Sequence, residues 1–103
     1  MNSSQILDIS KSLSNITRLM IFNWLKSPEE HFPPHEDLKH FNDGVCASYI
    51  KEKTNLSQST ISNYLSMMEK CKILTLTRHG KWSYYKRNEE IIENYILTLK
   101  NNL

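Results

Sequence analysis

The sequence predicts a mainly helical domain carrying a single β-hairpin, and three observations in the 103-residue chain lead there. Residues 55–68 read as a polar-faced helix with a well-marked start, preceded by a short helix and a turn. Residues 73–78 and 81–86 alternate with period two around His79-Gly80, the pattern of a hairpin with a glycine-bearing turn. Both ends of the chain carry apolar arcs broader than a helix left in water needs. At this length the chain forms one domain, residues 1–103, with a modest core, and a partner chain would help to cover its apolar faces.

Taken in order, Met1-Asn2 reads as a disordered start, and Ser3 or Ser4 is placed to cap a first helix with Ile6, Leu7, Ile9 and Leu13 on its apolar arc. Asn15 is placed to cap a second helix reaching Leu25. Its apolar residues Ile16, Leu19, Met20, Phe22 and Trp24 lie all round the wheel, which predicts a central, largely buried helix ended by Ser27-Pro28. Residues 28–43 then hold five acids, one base and two adjacent prolines, and read as a long acidic loop pinned by Phe32, Leu38 and Phe41. Three of the four histidines, His31, His35 and His40, lie in it. Their spacing matches no compact ligand pattern on a rigid element, so a solvated loop is favoured over a metal site.

Gly44 opens a short helix over residues 45–54, with Ala47 and Ile50 inward and Asn55 at a left-handed turn position. Ser57 caps the next helix, and Leu56 before it can close on Ile61, which stands four residues after Ser57. At 100° per residue Ile61, Tyr64, Leu65, Met68 and Cys71 share one side, while Ser59, Ser62, Asn63, Ser66 and Lys70 share the other. That second side offers short hydroxyls and amides with almost no acid, which suits close approach to a groove floor. Residues 44–71 therefore read as a helix-turn-helix whose second helix reads DNA through Gln58, Ser59, Thr60, Ser62, Asn63 and Tyr64. The hairpin, residues 73–86, crowds Arg78, His79 and Lys81 at its tip, a wing placed for phosphate or the minor groove. From Asn88, Ile91, Ile92, Tyr95, Ile96, Leu99 and Leu103 make one wide arc of a final helix. Residues 1–14 and 88–103 are accordingly expected to build a homodimer, through Ile6, Leu7, Ile92, Tyr95, Ile96 and Leu99.

The net charge of +2 conceals an asymmetry, since residues 44–87 hold eight bases against two acids. The middle of the chain is thus a candidate polyanion surface. Two distant cysteines, no apolar N-terminal stretch and no run of 18 apolar residues imply a reduced, cytoplasmic protein with no membrane partner. No nucleophile, base and orienting group fall together, and with only Gly44 and Gly80 there is no phosphate-cradling loop, so an enzyme is not expected.

With these elements in place the chain resembles bacterial ArsR/SmtB-type winged-helix repressors from about Ser14 to Tyr85. Asn15-Ile16-Thr17-Arg18-Leu19-Met20-Ile21 is similar to the family's D-P-T-R-L-x-I/L. Residues 56–65, Leu-Ser-Gln-Ser-Thr-Ile-Ser-Asn-Tyr-Leu, are similar to L-S-Q-S-T-V-S-H-H-L, and Gly80-Lys81-Trp82-Ser83-Tyr84-Tyr85 to G-R-W-V-Y-Y. The resemblance implies a winged-helix homodimer that binds an operator near its own promoter and releases it when an effector binds. Two reading helices in successive major grooves imply an imperfect palindrome of double-stranded DNA.

The resemblance fails at the effector motif. Relatives with E-L-C-V-C-D-L place two soft thiolates on the first helix of the pair. Here Cys46 matches the first and Ser48 stands at the second, and a neutral hydroxyl is a poor ligand for a soft metal. The alternative Asp and His set on the last helix is absent, because no histidine follows His79. No cofactor is therefore expected. Cys46 reads as a small core cysteine, with a redox thiol or a weak metal ligand beside His35 or His40 as alternatives. The leading function is a sequence-specific DNA-binding regulator. A thiol or metal sensor built on Cys46 and the acidic loop is the second reading, and a winged-helix interaction dimer without DNA binding the third.

Overall fold

The computed structural model describes residues 1–102; the place given to Leu103 on the last apolar arc lies outside them. The chain runs α1 (Ser3–Ser12), α2 (Ile16–Trp24), α3 (Pro28–His31), β1 (Val45–Cys46), α4 (Ala47–Thr54), α5 (Gln58–Lys70), β2 (Leu74–His79), β3 (Trp82–Arg87) and α6 (Glu89–Asn102). The three strands form one antiparallel sheet in the order β1-β3-β2. Its long arm is the β2–β3 hairpin, with His79 opposite Trp82 and Leu74 opposite Arg87. Gly80 takes φ +58° at the first of the two turn positions, the place where a II′ hairpin turn wants glycine. A helical body with a strand wing is the winged helix-turn-helix expected.

The core is drawn from every layer: Ile9 of α1, Ile21 of α2, Ile50 of α4, Ile61, Leu65 and Met68 of α5, Ile73 and Leu74 at the wing's root, and Ile92 of α6. Several local expectations are corrected. Asn2 caps α1, accepting from the Gln5 amide while the Gln5 side chain accepts from the Asn2 amide. This reciprocal box satisfies two orphan donors where a serine satisfies one, and Met1 packs against the core beside it. Val45 and Cys46 are extended, because Val45 pairs with Tyr85 and Cys46 with Tyr84. Gly44 makes that approach possible. Its φ is +100°, and a Cβ there would overlap the Tyr85 carbonyl.

Residues 28–43 are not wholly a solvated loop. Pro28, with its fixed φ and missing amide, starts the one-turn helix α3. Beyond it Phe32 and His35 are both buried. The second helix is not largely buried either: Ile21 and Leu25 face the core, whereas Ile16 is 71% exposed and Leu19 and Met20 also face outward. A nine-residue helix with apolar side chains on all sides meets its own core on one side only.

The end helices split in the same way. Ile92 belongs to the chain's own core, and Tyr95 is held in the fold by a 2.8 Å hydroxyl hydrogen bond to Ser10 of α1. Ile6 and Leu99 are half-buried. Leu7, Ile96 and Leu97 stand out into solvent. The outward apolar surface of α6 is therefore carried by Ile96 and Leu97, and Ile92 is not part of it.

Candidate nucleic-acid interface

The junction between α4 and α5 is built by local chemistry. Asn55 adopts the left-handed conformation at φ 56°, and its amide donates to the Lys51 carbonyl, closing α4. Two residues on, the Ser57 hydroxyl oxygen accepts from the Thr60 amide at 3.2 Å and opens α5. Leu56, between them, packs partly buried against the core that contains Ile61. Ile61, Leu65 and Met68 then anchor α5 from below. The opposite ridge, Gln58, Ser59, Ser62 and Asn63, is exposed and carries no charge.

Two of the residues expected on that ridge are already engaged. The Thr60 hydroxyl receives the Ser57 hydroxyl at 2.9 Å and is half-buried. Tyr64, also half-buried, lies under the Arg18 guanidinium, whose carbon is 4.9 Å from the ring centroid. Asn63 borders a groove of about 480 Å³ between α1 and α5, shared with Asp8, Lys11, Ser66, Met67, Lys70 and Cys71.

At the wing, Arg78, His79 and Lys81 are exposed, and each has a neighbour within the chain. Arg78 donates to the Ser83 hydroxyl at 3.2 Å, and the Lys81 ammonium sits 4.9 Å from the Trp82 ring centre. His79 Nε2 meets the Asp43 carboxylate at 2.8 Å. Lys86 Nζ donates to the Asn42 carbonyl at 3.1 Å, so residues 42–43 are laced to the wing at two points. Neither contact was readable beforehand, since they join residues 36 and 44 positions apart. Asn42, Asp43 and Arg18 are the neighbours of the site that sequence reasoning missed.

His35 is 4% exposed, and its ring packs against Tyr49, Trp82 and Tyr84, with ring centres 4.7 to 5.5 Å away. Its Nδ1 accepts from the Asp37 amide at 3.2 Å and lies 3.1 Å from the Tyr84 hydroxyl. The Tyr84 hydroxyl is pushed above its usual titration range, first by burial and then by the negative potential of Cys46 and Asp37. His40 turns back on its own loop, accepting from the Asn42 amide at 3.3 Å. Cys46 is buried, with its sulfur 3.1 Å from the Ser48 hydroxyl. His35, His40 and Cys46 are each occupied locally. Among the described residues no three His, Cys, Asp or Glu side chains come together in a way that could hold a metal ion. Among them, too, no helix is long and apolar enough to cross a membrane.

No family model matches the chain. The uncharacterized HTH-type transcriptional regulator YbzH of Bacillus subtilis (strain 168) is 44% identical over 86 residues, covering 84% of this chain and 86% of the relative. The solved ArsR-like transcriptional regulator from Rhodococcus sp. RHA1 has a TM-score of 0.69 at 17% identity, over 95% of this chain and 78% of the other. HlyU from Vibrio cholerae N16961 gives 0.64 at 17% identity, over 98% and 95%.

Proposed function

This chain belongs to the HTH-type transcriptional regulators and has the fold of a solved ArsR-like regulator, and from that premise we propose that it is an ArsR-type homodimeric repressor, released from an imperfect palindromic operator by an effector. It is a DNA-binding regulator and not an enzyme. The observation that carries the finer reading is the uncharged, exposed ridge of Gln58, Ser59, Ser62 and Asn63 on a helix whose other side is locked into the core. Short amides and hydroxyls on such a ridge can meet base edges without repelling phosphate. Thr60 supports the ridge from the first turn. Arg78, His79 and Lys81 serve the backbone or the minor groove, each exchanging its present neighbour for a phosphate.

In this reading α1 and α6 pair with a second copy through Leu7 and Ile96, flanked by Leu97, Ile6 and Leu99. Six exposed large apolar residues on α1, α2 and α6, among them Ile16, Leu19 and Met20, are more than a solvated monomer of this size explains. A dimer places the two reading helices about 34 Å apart, one turn of duplex. Residues 28–43 act as a brace on the wing rather than as a sensing loop. Burial of Cys46 against Ser48 favours a core role over a thiol or metal sensor.

Fluorescence anisotropy with an operator selected from random duplex tests the base and backbone assignments. Asn63→Ala is expected to relax base preference at a cost of about 1–3 kcal/mol. Lys81→Ala should weaken all sequences alike and reduce the salt slope by about one. An Asn63→Ala protein as tight and as selective as its parent would show that the ridge does not read bases.

A further inference from the structure

The geometry points to Arg18 as a positioning residue for the reading helix, acting through Tyr64. The inference rests on the DNA-reading role proposed for α5. Arg18 stands in the first turn of α2, where its amide donates to the capping Asn15 side chain at 3.0 Å. Its Nε donates to the Ser12 carbonyl at 2.7 Å and its Nη2 to the Lys11 carbonyl at 3.3 Å. Both carbonyls lie at the C-terminal end of α1, where the helix dipole is negative, and the Lys11 carbonyl also accepts from the Ser14 amide at 3.1 Å. The same guanidinium lies over the Tyr64 ring, its carbon 4.9 Å from the ring centroid. One side chain thus ties the end of α1, the start of α2 and the middle of α5.

The place of Tyr64 on its helix gives the contact its consequence. At 100° per residue Tyr64 stands 60° from Ile61, on the flank between the buried residues and the ridge that carries Asn63. The buried anchors Ile61, Leu65 and Met68 fix the depth of α5 but lie within a narrow arc. Roll about the helix axis is resisted by what grips a flank, and Arg18 grips this one. A small roll displaces ridge atoms sideways across base edges, where hydrogen bonds tolerate only a few tenths of an ångström. Lysine is no substitute: it is a point charge that cannot serve two carbonyls with a plane while covering a ring.

The test uses the full chain carrying Arg18→Lys, Arg18→Gln, Tyr64→Leu and Tyr64→Phe, and compares selected operator with scrambled duplex at matched folded fraction. Arg18→Lys and Tyr64→Leu should each lower the operator-to-scrambled affinity ratio on the order of tenfold, the worth of one well-made base contact. Tyr64→Phe keeps the ring and should restore the ratio lost in Tyr64→Leu. The salt slope should stay that of the parent, because Arg18 is spent on carbonyls and not on phosphate. An unchanged ratio in folded Arg18→Lys overturns the inference, and so does a slope reduced by one, which would make Arg18 a phosphate contact. A DNA-free arm keeps the two readings apart. Amide NMR shifts of residues 58–70 should move together in Arg18→Lys and in Tyr64→Leu; if they stay fixed, the positioning role fails even where DNA is bound. If the parent selects no DNA sequence, the proposed function fails while the NMR shifts still decide whether Arg18 sets the pose of α5. Should Arg18→Lys not fold, Tyr64→Leu carries both measurements.

Discussion

Ser57 allows helix capping and DNA approach to be separated by two substitutions that move in opposite directions. Its oxygen accepts the Thr60 amide and its proton goes to the Thr60 hydroxyl, so Ser57→Ala removes both partners of the first turn of α5. That should cost about 1 kcal/mol of stability. Ser57→Asp preserves the cap, because an aspartate accepts the same amide, and its charge at a helix N-terminus adds about 0.3–1 kcal/mol. Unfolding midpoints in urea should therefore rank Asp at or above Ser, with Ala lowest. Operator affinity should rank otherwise. A carboxylate about 6 Å from a phosphate repels it by about 0.7–2.8 kcal/mol for effective dielectrics between about 80 and 20, roughly a 3- to 100-fold loss. Ser57→Asp should bind worst although it is the most stable, and the deficit should shrink with added salt. Anisotropy titrations at two salt concentrations, beside the urea curves, give both rankings. If Ser57→Asp is well folded and binds the operator as its parent does, the N-terminus of α5 does not approach the duplex.

Three further outcomes are expected. Gly44→Ala forces a Cβ onto the Tyr85 carbonyl at φ +100° and should cost roughly 3 kcal/mol or more, whereas Gly80→Ala meets open space and should cost about 1 kcal/mol, both read from urea midpoints. Alkaline stability should depend on Tyr84: unfolded tyrosine loses its proton near pH 10 and the buried one later, so stability is full below pH ~10 and falls as pH rises through the raised folded value. Tyr84→Phe should flatten most of that fall in urea midpoints taken from pH 8 to 11, leaving the share of half-buried Tyr85, whose titration is also raised by burial against the lowering effect of Arg78. Ile96→Glu with Leu97→Glu should sediment as a folded monomer where the parent sediments as a dimer; a parent that is already monomeric at micromolar concentration removes the dimer.

The reading helix and the wing were legible because their signals are local. Ser57 serves an amide three residues away, Asn55 closes its own helix, and the wing alternates around a single glycine. The capping box of α1 is equally local, as Asn2 and Gln5 have the right spacing, but Ser3 and Ser4 offer the same capping chemistry one and two residues later. What stayed hidden depends on partners far along the chain. Val45 and Cys46 follow a glycine and precede a helical stretch, and only Tyr84 and Tyr85, some forty residues on, make them a strand. His35 looked like one of several solvated histidines, and an aromatic cage drawn from α4 and β3 turns it into a packing residue. Nothing in the acidic composition of residues 28–43 distinguishes Asp43, which meets His79, from the exposed Glu36.

The end helices show where periodicity itself runs out. An arc from Ile91 to Leu99 has the same spacing whether it faces the chain's own body or a second copy, because hydrophobicity is non-directional. Folding divides the arc by contact. Ile92 is enclosed with Ile9 and Ile61 in one core, and the Tyr95 hydroxyl is fixed to Ser10, while Ile96 at 56% and Leu97 at 55% exposure are left outside. The division bears directly on which substitution probes association. A glutamate at Ile92 places a charge in the core and unfolds the monomer, so loss of the dimer there carries no information about the interface. A glutamate at Ile96 is already solvated in the monomer and is penalised only when a second copy covers it, which confines its effect to the contact it is meant to test.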